Sequence, residues 1–345
     1  MLTREDVESV DTSGLHRDYE EWPTHCEEAL SLKVSAPDVT DVTQVIYAGM
    51  GGSAASGDIL KEWLTPVLNI PFTVLKDYHL PRSAGKNTLT LVVSCSGNTE
   101  EALSIAKEAL KKGCSVSAVS ADGLLERVCN ENDAPFTKVK KLSVPRSSLP
   151  YLFYPAANIL KETIGLGEVS EQLVNSVSQI KSLHREIRVD TPIEKNPAKE
   201  IAAKIFDGVP IIYASAANRG VAIRFKASLN ENAKMIAHIA VIPELCHNEV
   251  EGWTERAPSI FRPVFIRHRE ESSEISKRFE VVKEIVEAAG FEVYELWETG
   301  EDHLCRTLRS IYLTDYASIY TAVLRKEDPK VTGNIDTMKR RLRES

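Results

Sequence analysis

The sequence predicts an α/β fold with two doubly wound parallel sheets joined by a helical connector. Short apolar runs alternate along the chain with longer segments of helical periodicity, and this alternation favours right-handed crossovers and parallel strands. The run at 45–48 (VIYA), which ends in a glycine turn, is echoed at 211–214 (IIYA), ahead of a second turn at 215–220. The echo indicates that the same sheet unit occurs twice.

The first half of the chain alternates strand and helix after an irregular helical start at 15–32. Apolar runs bounded by turn residues predict the strands, and apolar residues on one face predict the helices, as at Ala102, Ala106 and Leu110. The predicted strands are 42–48, 72–75, 88–94, 115–120 and 136–142, and the predicted helices between them are 53–64 and 99–112.

The segment from Pro145 to Pro155 is predicted to break this pattern, and helices at 156–166 and 168–188 follow as a connector. Asn196-Pro197 begins the second cycle, because this pair is typical of a helix start. The second cycle comprises helices at 198–206, 221–232, 272–289, 302–325 and after 334, with strands at 209–214, 262–267 and 291–297. Residues 234–240 are compatible with either a strand or a helix.

These elements divide the chain into four predicted segments. They are an N-terminal helical segment at 1–36, a first sheet domain at 37–165, a helical connector at 166–196 and a second sheet domain with the C-terminal helix at 197–345.

Composition and charge exclude several classes of protein. The 345 residues carry 42 Lys+Arg against 50 Asp+Glu, a net charge of −8, which argues against a nucleic-acid or anionic-membrane surface. No apolar run approaches the ~20 residues of a membrane span, and the N-terminus lacks a signal-peptide pattern. The six cysteines are scattered, so reduced thiols in a cytoplasmic protein are expected. Adjacent Cys/His residues such as Cys246-His247 do not supply the four spaced ligands of a structural zinc site, and no metal site is predicted.

Two turns have the composition of a phosphate site. Gly51-Gly52-Ser53 follows the first strand, and Ser94, Ser96 and Thr99 surround the end of a later strand and the start of a helix. Free N–H groups at a helix start bind anions, and adjacent strand ends meet at one edge of a sheet. The alternatives are an ordinary βα turn and a capping box, although a capping box explains only one of the three hydroxyls. Neither turn is a Walker or dinucleotide motif.

Gly-Met-Gly-Gly-Ser (49–53) and Ser-x-Ser-Gly-Asn-Thr-Glu (94–100) resemble the first sugar isomerase (SIS) domain of bifunctional phosphoglucose/phosphomannose isomerases. The similarity continues through Val-Pro-Arg (144–146), NENAK (230–234), ELCHNE (244–249) and Asp-Pro (328–329). It implies two flavodoxin-like SIS domains and an enzyme without cofactors that interconverts glucose 6-phosphate and mannose 6-phosphate with fructose 6-phosphate. The sequence departs from the family pattern at Cys95 and Cys246, and both are interpreted as structural thiols.

The resemblance also implies residue roles. Glu231 is the proton-transfer base for a cis-enediol, and His247 and Lys339 open the sugar ring. Arg146 stabilises the enediolate, and Thr332 makes room for both C2 epimers. Without the resemblance, Glu231 is compatible with a solvated carboxylate near a helix end and His247 with a loop or core histidine. Lys339 is then compatible with a basic helix end, and Arg146 with a surface arginine. The phosphate would be held by Gly52, Ser53, Ser94, Ser96 and Thr99.

The resemblance further implies a homodimer in which the histidine reaches the active site of the neighbouring subunit. The alternative is a non-catalytic SIS-type regulator that senses a sugar phosphate, which could dispense with Glu231, His247 and Lys339. A third option is a related amino sugar isomerase, and the absence of a glutaminase module disfavours glutamine-dependent synthesis.

Overall fold

The structure is a computed structural model that describes residues 2–344, without the side chains of Glu168 and Arg343. It divides into two compact units. The first-sheet unit comprises Glu20–Ser182 and Gly300–Arg309, and the second-sheet unit comprises Met1–Tyr19, Leu183–Thr299 and Ser310–Ser345. The four segment limits derived from the sequence stay predictions. No helix among the described residues is both long and apolar enough to cross a membrane.

Each unit contains one parallel sheet. The strands are β1 (Gln44–Ala48), β2 (Phe72–Leu75), β3 (Thr88–Ser94), β4 (Ser115–Ser120), β5 (Phe136–Lys138), β6 (Val209–Ser215), β7 (His238–Ile242), β8 (Phe261–His268) and β9 (Tyr294–Glu298). In the described part of the chain, the strand order is β2-β1-β3-β4-β5 in one sheet and β7-β6-β8-β9 in the other. β1 and β6, which carry the echoed VIYA and IIYA runs, thus hold the same position in their sheets. The predicted fold class is confirmed.

Helices accompany both sheets. They are α1 (Arg4–Val10), α2 (Leu15–Glu20), α3 (Trp22–Leu30), α4 (Gly52–Leu64), α5 (Glu100–Lys111), α6 (Leu124–Asn130), α7 (Leu149–Ile164), α8 (Ser170–Ile187), α9 (Pro197–Ile205), α10 (Arg219–Ala233), α11 (Ser273–Ala288), α12 (His303–Arg325) and α13 (Gly333–Glu344).

The cores explain why the apolar runs form buried strands. Every residue of β3 is buried, as expected for a central parallel strand covered on both faces. Val92 of β3 belongs to a core cluster with Ala102 and Ala106 of α5. In the second-sheet unit, Tyr213 of β6 shares a core cluster with Phe265 of β8. The alternation of strand and helix therefore places apolar helix faces against each sheet.

Two local predictions are wrong. The predicted break at 145–155 is largely the first part of α7, which begins at Leu149 and continues through Pro155. Pro150 lies in the first turn, where no N–H is needed for an intrahelical bond, and burial of both prolines offsets the cost of the interior one. Helices α1 and α6 are absent from the predicted elements, because seven residues are too few for a clear periodicity. The ambiguous 234–240 segment leads into strand β7.

A buried ion pair joins α10 to α12 in the second-sheet unit. Arg224 Nη2 lies 2.7 Å from Asp315 Oδ2, and both side chains are almost fully buried. Ser228 Oγ donates to Asp315 Oδ1 at 2.5 Å, and the Tyr19 hydroxyl donates to Oδ2 at 3.2 Å. Burial by itself lowers the pKa of Arg224, but the charge of Asp315 outweighs it and the pKa is raised. The pair therefore stays charged, and it fixes the position of α10.

We expect Asp315→Asn to lower the free energy of unfolding by about 3–5 kcal/mol, because it leaves a buried guanidinium without a counter-charge. The matched control is Asp207→Asn, which removes the partner of Arg262 at a partly exposed site and should cost less than about 1 kcal/mol. Urea unfolding of both variants measures the difference. Equal losses would contradict a special role for the buried pair.

Candidate functional site

The turns after β1 and β3 lie side by side at the carboxyl end of the first sheet. β1 and β3 are neighbours in that sheet, and a hydrogen bond joins the two turns, because the Cys95 N–H donates to Ser53 Oγ at 3.1 Å. Ser53 is buried in the first turn of α4. The two motifs that the sequence separates are thus brought together, as expected for adjacent strand ends.

Three hydroxyls cluster at the second turn. Ser94 Oγ lies 3.0 Å from Thr99 Oγ1 and accepts a hydrogen bond from the Gly97 N–H at 3.1 Å. Ser96 Oγ accepts from the Asn98 N–H at 3.3 Å. Within the described residues, the N-cap side chains cap neither α4 nor α5. The capping-box alternative is therefore wrong for α5, and the first N–H groups of α5 point into the turn region. In α4, by contrast, the Ser53 and Ala54 N–H groups donate to the Met50 carbonyl at 3.0 and 3.4 Å.

Glycine is required in the second turn by a close backbone contact. Gly97 has φ +65°, and a Cβ atom built there would lie 1.6 Å from the carbonyl oxygen of Asp122. Asn98 fixes the same loop, since its Oδ1 accepts from the Leu124 N–H and its Nδ2 donates to the Ser96 carbonyl. Asn98 is not among the predicted site residues, although its position inside the Ser-Gly-Asn-Thr-Glu motif was an available signal.

Arg146 packs beside the first turn. A Cβ atom on Gly52 would lie 3.2 Å from the Pro145 carbonyl oxygen and 3.4 Å from Arg146 Cα. The absence of a side chain at Gly52 thus lets the Pro145-Arg146 segment approach the start of α4. Arg146 is only 3% exposed, which excludes the surface-arginine alternative. The backbone of Arg146 thus lies beside the start of α4, and a buried arginine is a residue type that suits an anionic ligand.

The cysteine beside these turns is not suited to chemistry. Cys95 is buried, and burial raises the pKa of its thiol. Burial also raises the pKa of the Cys246 thiol, which lies in the other unit. A reactive cysteine needs a lowered pKa, so both findings agree with structural thiols. All six cysteines are unpaired thiols.

Glu231 lies on the last full turn of α10 in the second-sheet unit. Its side chain is half-buried, and its charge contributes to the raised pKa of Arg224. Arg224, Ser228 and Glu231 have the spacing that places residues on one helix face. The ion pair that anchors α10 therefore lies on the face that carries this carboxylate.

The other predicted residues of the second-sheet unit lie on separate segments. His247 ends a short 3₁₀ helix (Glu244–His247) that follows β7, and its ring is exposed. The ring makes no hydrogen bond or ion pair with any part of the chain between residues 2 and 344. Lys339 is exposed on α13, and Thr332 is half-buried just before that helix. Among the side chains described, no group of three or more His, Cys, Asp or Glu could hold a metal ion.

Comparison with known proteins agrees with this geometry. The model of the bacterial phospho-glucose isomerase C-terminal SIS domain matches residues 194–342. The bifunctional phosphoglucose/phosphomannose isomerase of Caldicellulosiruptor bescii is 31% identical over 319 residues, which cover 91% of this chain and 93% of that protein. This chain belongs to the bifunctional phosphoglucose/phosphomannose isomerase family.

Two further similarities define the limits of this assignment. A glucose-6-phosphate isomerase like protein from Thermus thermophilus superimposes with a TM-score of 0.63 over 98% of both chains at 19% identity, which shows the shared fold. The D-glucosamine-6-phosphate 4-epimerase of Sulfolobus acidocaldarius is 30% identical over 72% of this chain and 76% of that protein. Relatives of the phosphoglucose/phosphomannose isomerase family therefore include a protein named for a different reaction.

We expect Gly97→Ala to weaken binding of inorganic phosphate by on the order of tenfold or more, because the new methyl group would displace the turn. Gly113→Ala is the matched control, since Gly113 has φ +70° but nothing within 4 Å of a built Cβ atom. Alanine at a positive φ is strained in both variants, but only Gly97→Ala also places a methyl group against the carbonyl oxygen of Asp122. Isothermal titration with phosphate measures both affinities, and an equal loss in the control would reject the phosphate-turn assignment.

Proposed function

We propose that the protein is an aldose–ketose isomerase that interconverts glucose 6-phosphate and mannose 6-phosphate with fructose 6-phosphate through a cis-enediol. The observation that carries this proposal is the joining of the glycine-serine turn to the hydroxyl-rich turn that precedes the uncapped start of α5, in a chain of this family. The family assignment does not favour the alternative of a non-catalytic regulator.

The first-sheet unit would hold the sugar phosphate. We assign the phosphate to the backbone at Gly52 and to the hydroxyls of Ser53, Ser94, Ser96 and Thr99. Oriented N–H groups and helix dipoles supply partial positive charge, so a doubly charged phosphate can bind although the net charge of the protein is −8.

The proton transfer would be carried by Glu231. Isomerisation moves one proton between C2 and C1, and a single carboxylate that reaches both carbons can remove and return it. Arg146 would stabilise the enediolate oxygens as negative charge develops, because a fixed cation requires no reorganisation at that moment. No metal or cofactor takes part in this scheme.

Ring opening would be assisted by His247 and Lys339. Imidazole titrates near neutral pH and can exchange a proton with the ring oxygen. We place His247 in the active site of the neighbouring subunit of a homodimer, and its exposed ring, which has no partner among the described residues of its own chain, supports this. The six free thiols support a cytoplasmic enzyme.

A coupled assay in the presence of EDTA tests the proposal. Wild-type protein should isomerise both aldose 6-phosphates. Glu231→Gln should lower kcat by about 10²–10⁴-fold, the usual contribution of a general base, and phosphate binding should persist. Glu284→Gln, on an exposed part of α11, is the control and should keep full turnover.

Each outcome of this assay has a distinct meaning. Binding of sugar phosphate by the wild type without turnover would favour the regulator. Turnover of an amino sugar phosphate alone would favour an activity nearer to the epimerase relative. Normal turnover by the Glu231→Gln variant would remove the assignment of the base, and activity that only added metal restores would reject the metal-free scheme.

Thr332→Gln should depress the reaction of mannose 6-phosphate about tenfold more than that of glucose 6-phosphate, because the larger side chain would crowd one C2 epimer. Thr254→Gln, in an exposed loop, should change neither. The ratio of the two kcat/KM values is the measurement, and equal losses would eliminate the epimer role of Thr332.

A further inference from the structure

Lys234 has a backbone conformation that is unusual for lysine. It follows the last residue of α10 and lies in the left-handed region, with φ 52° and ψ 36°. Glycine or asparagine normally occupies this position at the end of a helix, because a Cβ atom is strained there. A residue kept in a strained conformation points to a compensating interaction of its side chain.

The compensation is a set of hydrogen bonds from the ammonium group. Lys234 Nζ donates to the carbonyl oxygens of Glu231 and Asn232, both at 3.0 Å, and to that of Asp328 at 2.5 Å. The last carbonyls of a helix have no intrahelical partner, and a cation is favourable at this end of the helix dipole. Arg325 Nε donates to the next carbonyl, that of Ala233, at 3.0 Å.

The carbonyl of Asp328 is itself held in place. The side-chain carboxylate of Asp328 accepts hydrogen bonds from Ser13 Oγ at 2.8 Å, from Thr12 Oγ1 at 3.0 Å and from the Lys330 N–H at 2.9 Å. Burial alone raises the pKa of Asp328, but these hydrogen bonds outweigh it and the pKa is lowered. The ammonium of Lys234 thus connects the end of α10 to the loop of the same unit that contains Asp328.

We propose that Lys234 is a positioning residue that fixes the last turn of α10 and thereby the carboxylate of Glu231, an inference that rests on the proposed function. The terminal turn of a helix frays when its carbonyls lack partners. Glu231 lies in that turn, and Lys234 binds its own carbonyl. Without the ammonium, the carboxylate would occupy a wider range of positions relative to the carbon atoms between which it moves the proton.

The test compares two lysines with the same backbone strain. Lys326 also has a positive φ, of 62°, but within the described part of the chain its exposed side chain takes part in no such set of hydrogen bonds. Lys234→Gly and Lys326→Gly both relieve the strain, and only the first removes the ammonium from the helix end. Lys234→Asn, which also tolerates this conformation, replaces Lys234→Gly if that variant is poorly folded by circular dichroism.

For Lys234→Gly we expect kcat to fall on the order of 10- to 100-fold, the scale of a small misplacement of a catalytic group. KM should stay within about twofold of the wild-type value, because Lys234 is not among the residues proposed to bind the phosphate. Ethylammonium should restore part of kcat in this variant only. Hydrogen exchange of the amides at 231–236 should accelerate in Lys234→Gly and stay unchanged in Lys326→Gly.

Wild-type kcat in both Lys234 variants would overturn the inference. Equal losses in the Lys326 control, or unchanged hydrogen exchange at 231–236, would overturn it as well. Failure of the proposed function is recognised separately, since the wild-type protein would then show no isomerisation, whereas the hydrogen-exchange result does not depend on turnover.

Discussion

The buried pair of Arg224 and Asp315 is the constraint on which the second-sheet unit depends. Removing two charges from water is costly, and apolar residues of similar volume would often be as stable. The pair contributes orientation rather than net stability. Two parallel contacts between guanidinium and carboxylate, at 2.7 and 3.0 Å, fix the rotation of α10 about its axis. The helix that carries Glu231 is thus held by charge in its middle and by the ammonium of Lys234 at its end.

The two sheets share a strand order, but the turns at the carboxyl ends of their strands differ in residue type. After β3, the turn carries hydroxyls and leads to an uncapped helix. Near the end of β8, Arg267 lies buried between the rings of Phe279 and Trp297 and binds the carboxylate of Glu271 in the turn that follows. Burial raises the pKa of Glu271, although the arginine opposes it. Hydroxyls and free N–H groups attract an anion, whereas a filled and acidic turn does not, so the turn after β3 suits an anion better than the turn after β8 does.

Local sequence patterns predicted the strands well where turn residues mark both ends of an apolar run. The predicted and observed limits coincide for β2, β3 and β4, because each is an apolar run enclosed by turn residues. The same reasoning failed for α7, where a proline signals a break although the first helical turn tolerates it. The residues proposed to bind phosphate could be grouped from the sequence because they follow neighbouring strands. Arg146 could not be grouped with them from local sequence alone, since its contact with Gly52 depends on the path of the chain after β5.

By itself, the sequence determined the alternation of strand and helix, the two parallel sheets and the hydroxyl-rich turns, because these depend on local periodicity and residue type. Only the tertiary structure decided that Asp315 neutralises Arg224, which is 91 positions away, and that Lys234 reaches Asp328, which is 94 positions away. The physical reason is that a hydrogen bond between distant residues depends on the packing and rotation of whole helices. No local pattern in the chain carries that information.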